Sequence, residues 1–240
     1  MATDDRATRA KEILGLRRLP IKVGFLDAPP PALARWSGGP VAAGCVFWDR
    51  AMDGKSFYTL PADHWNCAIG SHTHKIGLPA DRANELPATI GFMVETRYLD
   101  AAEVPGIPTL DRAPAAVAYA PAASDAFKAD VVLLALTPAQ STLVFEAALK
   151  AGIAQGTAGA SSRPSCAILP ASAKTDLVSI SSCRPPPRMD SLEPVREARF
   201  KRRPDQWEAT CSLSITAERR FAPSRRGSLW PRRAWHSKAG

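Results

Sequence analysis

No uninterrupted apolar stretch in this chain exceeds the six residues Val131 to Leu136, and a helix that crosses a bilayer needs about 20. No segment therefore reads as a transmembrane helix. Cysteine is scarce and odd in number: Cys45, Cys67, Cys166, Cys183 and Cys211 are widely and irregularly spaced. Such a set does not suggest a disulfide framework and fits reduced thiols in a cytoplasm. The charged opening Met1-Ala-Thr-Asp-Asp-Arg6 has no apolar signal core behind it, which adds to the expectation of a cytoplasmic protein. Internal repeats are missing, as are a glycine-rich phosphate-binding fingerprint and any recognised nucleic-acid motif.

What is present is ordinary for a globular protein. The 240 residues are 45% hydrophobic and 22% charged, enough to bury a core without disulfide or metal staples. The net charge of +8 invites a nucleic-acid reading until it is located. The last sixty residues hold twelve arginines, two lysines and six acids, a surplus of eight that equals the charge of the whole chain. Residues 1–180 are thus neutral. An arginine-rich segment can attract phosphates or acidic lipids without regard to sequence, but a neutral body without a motif makes a nucleic-acid partner the poorer expectation.

Composition also divides the chain near residue 180. Residues 181–240 contain only seven Leu, Ile, Val and Phe, lack Tyr and Asn, and carry the run Pro185-Pro-Pro187. So few large apolar residues struggle to build a core. The expectation is one domain over 1–180, followed by a divergent tail that is mostly disordered or loosely attached. A short helix over Trp207 to Ala217 is the one element expected there.

Within the body, Ile21 to Leu26 alternates and predicts a strand, as does Lys55 to Leu60 between Gly54 and Pro61. Val41 to Met52 predicts a short helix, and a further helix is expected after Asp63, which would cap it. Helix is also expected around Ile90–Tyr98. Ala115 to Ala120 and Asp130 to Leu136 read as buried strands. Thr137 then stands as N-cap, Pro138 at the first helical position and Gln140 three residues on, a capping box, with Gly152 as the stop. The free N–H groups there could bind an anion, but capping is the simpler use of Thr137 and Gln140. The glycine- and serine-rich Gly152 to Ser162 reads as an ordinary connection. These patterns predict an α/β fold, with a mixed α+β arrangement as the alternative: a single layered domain of short buried strands with flanking helices.

Several segments resemble a family. Leu19-Pro-Ile-Lys-Val23, Gly54-Lys-Ser-Phe-Tyr58, His64-Trp-Asn-Cys-Ala-Ile-Gly70, Asp130-Val-Val-Leu-Leu134, Pro138-Ala-Gln140 and Cys166-Ala-Ile-Leu169 look like the bacterial and archaeal domain of unknown function number 169. The resemblance runs in order over roughly residues 15 to 183. The family carries no established activity, so the resemblance implies a fold and a set of recurring cysteines, matched here by Cys45, Cys67 and Cys183. Its members continue with a Gly-Cys-x-Gly-x-Arg-like segment. Ser181-Ser-Cys-Arg-Pro-Pro-Pro-Arg188 keeps the cysteine and an arginine but neither glycine. Either the ending has diverged, or part or all of residues 181–240 is translated out of frame.

Three of the four histidines, His64, His72 and His74, fall within eleven residues around Cys67. On a helix, His64 and Cys67 would share a face at i, i+3 spacing. Thiolate and imidazole are ligands for zinc, copper and iron, with Cys45 and Cys183 as the candidates to complete a site. Cys45, Cys67 and Cys183 would alternatively suit an iron–sulfur cluster. His72 and His74, two apart, point to different helix faces and cannot both join one site. The competing readings are inert core cysteines with surface histidines, and a reactive Cys67 thiol activated by His64. Phe47, Trp48, Phe57, Tyr58 and Trp65 flank the cysteines as core, or as walls of a small-molecule pocket. Three functions follow: binding of a transition metal or iron–sulfur cluster through Cys45, Cys67, His64 and Cys183; a small-molecule-binding or thiol-dependent enzyme without metal; or a binding module that uses the basic tail.

Overall fold

A computed structural model of the chain describes residues 3–41, 43–153, 165–175, 178–181 and 209–214. Helix α1 (Thr3–Leu14) leads into strand β1 (Ile21–Leu26), helix α2 (Cys45–Met52) and strand β2 (Phe57–Thr59). A 3-10 turn (Pro61–His64) precedes the short helix α3 (Ala68–Thr73), and helix α4 (Glu85–Glu95) follows. Strands β3 (Ala116–Pro121) and β4 (Val131–Leu136), then helix α5 (Pro138–Lys150), form the middle of the chain. Helix α6 (Ile168–Lys174) and strands β5 (Val178–Ser181) and β6 (Ala209–Ser214) come last.

The strands lie in the order β2-β3-β1-β4, extended by β6 and β5, and every neighbouring pair is antiparallel. The sheet is therefore that of a mixed α+β domain, not a parallel crossover fold. Register fixes its two faces. Val23 lies opposite Tyr119 and Val131, and Phe57 opposite Tyr119. Alternation of side chains then carries Ile21, Val23, Phe57, Thr59, Val117, Tyr119, Val131 and Leu133 to one side. There they pack with Phe47, Trp48, Ala51 and Met52 of α2 and with Ile168 and Leu169 of α6. The opposite side sends Val132, Leu134 and Leu136 against Val144 and Ala148 of α5. Helices thus cover both faces. The fully apolar sequence of β4 follows from that double burial, since each of its six residues is buried.

Local rules account well for the join between β4 and α5. Thr137 Oγ1 accepts from Gln140 N–H at 3.3 Å, and Gln140 Oε1 accepts from Thr137 N–H at 2.7 Å. Such a box is worth about 1 kcal/mol. Gln140 also donates from Nε2 to the carbonyls of Leu14 and Gly15, so the residue that caps α5 also ties down the end of α1. Gly152, at φ +68°, closes α5 in the left-handed conformation that glycine adopts without strain.

Two expectations need correction. The helix foreseen directly after Asp63 does not form. Pro61 has no N–H to give, and Asp63 accepts the Leu60 N–H at 2.7 Å while its own N–H reaches the Leu60 carbonyl. That tight turn ends at His64, and α3 starts four residues later. The second correction concerns the tail, where Ala209–Ser214 is a strand rather than a helix. Pairing on both edges, with β4 and with β5, satisfies its backbone in a way a lone helix of weak formers could not match. At least this part of the tail belongs to the sheet. Among the described residues no helix is long and apolar enough to cross a membrane.

Candidate functional site

Two of the clustered histidines are driven inward. His64, at the end of the 3-10 turn, is 2% exposed. Its Nε2 lies 2.8 Å from Thr59 Oγ1, and Thr59 Oγ1 donates to the Val117 carbonyl at 3.2 Å. A hydroxyl has one proton to give, so Nε2 is the donor in the first bond and His64 carries its proton there. Nδ1 is left as a lone pair facing α2, where a methyl group added at Gly44 would lie 3.5 Å from it. Ser71 Oγ steadies the turn by donating to the His64 carbonyl at 2.9 Å.

His74 sits just past α3 and is 3% exposed, and among the described residues neither ring nitrogen has a hydrogen-bond partner. Its ring stands edge-on to Phe25 (5.2 Å between centroids) and to His64 (5.7 Å). The backbone holds it there. His74 N–H bonds to the Gly70 carbonyl, Lys75 turns back at φ +59°, and Ile76 N–H reaches the Ser71 carbonyl at 2.8 Å. A lysine in that conformation is uncommon and marks a backbone fixed by its surroundings. Burial lowers His64 to a pKa of about 4. It lowers His74 to about 3, and the neighbouring His64 contributes to that shift. Both rings are neutral at neutral pH.

The same side of the sheet holds Tyr119, fully buried. Burial raises its phenol pKa, Thr59 opposes this and the Cys45 sulfur adds to it. The rings of Phe47 and Phe57 lie against Tyr119, and Trp36 packs on both of them. Of the aromatics that the sequence brought forward, Phe47, Trp48 and Phe57 are buried in this core, whereas Tyr58 and Trp65 are half-buried.

Phe25 also lines a surface cleft of about 180 Å³. Phe25, Leu110, Pro114 and Ala173 give it apolar walls, and Asp111, Arg112, Asp130 and Lys174 give it charge. Lys174 is paired with Asp111 at 2.5 Å and Arg112 with Asp27. The half-buried Asp130 accepts the Phe25 N–H at 2.7 Å, and burial raises its carboxyl pKa against that bond. Leu110 N–H donates to the Thr73 carbonyl at 2.8 Å, which joins the cleft wall to the helix that presents His74. Phe25 thus both lines the cleft and stands edge-on to the buried imidazole.

Among the described residues, Cys45, Cys67 and His64 do not come together as a three-donor site. Cys45, Cys67 and Cys166 are half-buried. Because the turn after Pro61 replaces a helix, His64 points to Thr59. The Cys67 sulfur instead lies over Gly70, 2.9 Å from where a Cβ would stand. Cys183 falls outside the described residues. Among the described residues no three His, Cys, Asp or Glu side chains come together as a metal site. His72 and His74 part company as their spacing predicts, His72 half-buried and His74 inside. Sequence reading missed Thr59, Tyr119, Phe25 and Asp130. Alternation in Phe57-Tyr-Thr59 could have placed Thr59 on the core face, but nothing local marks the other three.

Compared with known proteins, the chain matches no family model, no curated protein and no solved structure.

Proposed function

We propose that the protein binds a small polar molecule through the cleft beside Phe25 and the neutral imidazole of His74 behind it. One observation carries this reading: a fully buried ring with a donor and an acceptor, neither of them bonded. Leaving such groups unpaired costs about 1–3 kcal/mol each, and native interiors pair nearly all of theirs. A ligand that offers both a hydrogen-bond donor and an acceptor would satisfy His74. The Asp130 carboxyl and the Lys174 and Arg112 cations would engage charged groups at the mouth of the cleft. Access requires the half-buried Phe25 ring to turn aside.

This reading is preferred to a cysteine-held metal or iron–sulfur cluster because three donors are not brought together among the described residues. Membership of the domain of unknown function number 169 family rests on the segments quoted above and is part of the same proposal. Thermal melting of the full-length protein against a panel of small carboxylates, amides, amines and polyols tests it. A compound at a hundred times its Kd should add about 2.7 kcal/mol to the stability of the wild type, and nothing to His74→Phe. If every stabilising compound acts equally on both proteins, or none acts, the proposal fails.

A further inference from the structure

We infer that the cleft lined by Phe25 takes a small organic ammonium ion, its positive head on the Asp130 carboxylate. The inference rests on the ligand reading above and names the class of ligand. The charges in the cleft carry it. Asp111, Arg112, Asp130 and Lys174 line it. Lys174 holds Asp111 at 2.5 Å, and Arg112 holds Asp27. Asp130 is the remaining charge, and among the described residues no cation stands within ion-pair distance of it. One of its oxygens accepts the Phe25 N–H at 2.7 Å, and nothing among the described residues bonds the other. Burial raises its carboxyl pKa, and the Phe25 N–H, Lys128 and Arg112 only partly offset that. A half-buried carboxylate without a counter-ion is uncompensated negative charge, which a bound cation would relieve.

The walls select the rest of the ligand. Phe25, Leu110, Pro114 and Ala173 are apolar, so they favour an alkyl body over a bare metal ion, which needs several oxygen donors. No three His, Cys, Asp or Glu side chains come together to supply them among the described residues. An aromatic wall adds to the attraction for a cation. An anion gains less, because both cations that line the cleft already hold carboxylates and Asp130 repels it. The position of Asp130 is fixed by two bonds to β1: its own N–H donates to the Val23 carbonyl at 2.9 Å, and its side chain accepts from Phe25.

The probe is n-butylamine, an alkyl amine that is protonated at neutral pH, with n-butanol and butyrate as its neutral and anionic counterparts. Titrations of the full-length ¹⁵N-labelled protein are followed through the Phe25 N–H signal, which reports on Asp130 because it is bonded to that carboxylate. Butylammonium should bind about tenfold more tightly than butanol, the margin expected of a charge-assisted hydrogen bond over a neutral one, and butyrate more weakly than either. Asp130→Asn keeps an oxygen for the Phe25 N–H, so the fold is retained, and it should abolish the preference for the amine. The inference is overturned if butylammonium does not bind, if butyrate binds more tightly, or if Asp130→Asn leaves the preference in place. The ligand reading is tested apart: a carboxylate or polyol that stabilises the wild type and not His74→Phe, with no response to butylammonium, would uphold that reading and refute the ammonium class.

Discussion

Replacing His74 by phenylalanine should make the ligand-free protein more stable, which is the opposite of what a buried substitution usually does. Among the described residues the imidazole makes no hydrogen bond, and its ring contacts are the edge-on ones to Phe25 and His64. Phenylalanine keeps those contacts and removes a buried donor and acceptor whose desolvation costs about 1–3 kcal/mol each. The extra ring atom works against this, because overfilling a core is itself costly. A net gain of about 1–2 kcal/mol is expected, or a rise in Tm of roughly 2–8 °C for a chain of this size. Urea unfolding followed by tryptophan fluorescence gives the free energy at constant m-value, and calorimetry gives Tm. A loss of 2 kcal/mol or more would mean that the His74 nitrogens are bonded in solution, and the reasoning from an unsatisfied ring would be wrong.

Acid should unfold the protein by way of the same two rings. His64 and His74 stay neutral down to a pKa of about 4 and about 3 when folded, whereas the unfolded chain takes up protons below about 6.5. Stability is therefore full above pH 6.5 and falls from there toward pH 4, by up to about 1.4 kcal/mol per pH unit for each histidine. Urea midpoints should show this, with roughly half the slope in His74→Phe, and a flat profile to pH 4 would contradict it. Thr59→Val keeps the side-chain shape but strips the bridge between His64 Nε2–H and the Val117 carbonyl, and should cost about 2–3 kcal/mol in urea unfolding. A cost below half of that would refute the bridge. Gly70→Ala would set a Cβ 2.9 Å from the Cys67 sulfur, so it should give no gain by itself. In a Cys67→Ala background it should stabilise by about 1 kcal/mol from helix propensity, and additivity in the cycle would disprove the contact.

Where the sequence was legible, short-range chemistry was at work. The Thr137, Pro138 and Gln140 join and the Gly152 stop depend on neighbours a few residues away, and they form as read. Strands β1, β3 and β4 announced themselves by alternation or by continuous apolar residues. Strand order is another matter, because hydrogen bonds between distant segments decide it, and the antiparallel sheet left no local trace. The tail strand Ala209–Ser214 shows the same limit: two partner strands override a composition that argued against order. At the candidate site, His64 was named for its spacing from Cys67, yet a proline three residues earlier replaced the helix that spacing assumed. His74 looked like a surface residue, and only the turn at Lys75 and the packing of Phe25 show it to be inside.

The most direct test of the central claim is the side-chain nitrogen spectrum of His74 in the full-length protein labelled with ¹⁵N-histidine. It should be recorded at pH 5 and then with the panel of small polar compounds. The expected result is a neutral His74 ring whose nitrogen frequencies move when one compound binds. A ring already protonated at pH 5, or nitrogens that no compound moves, would contradict the account.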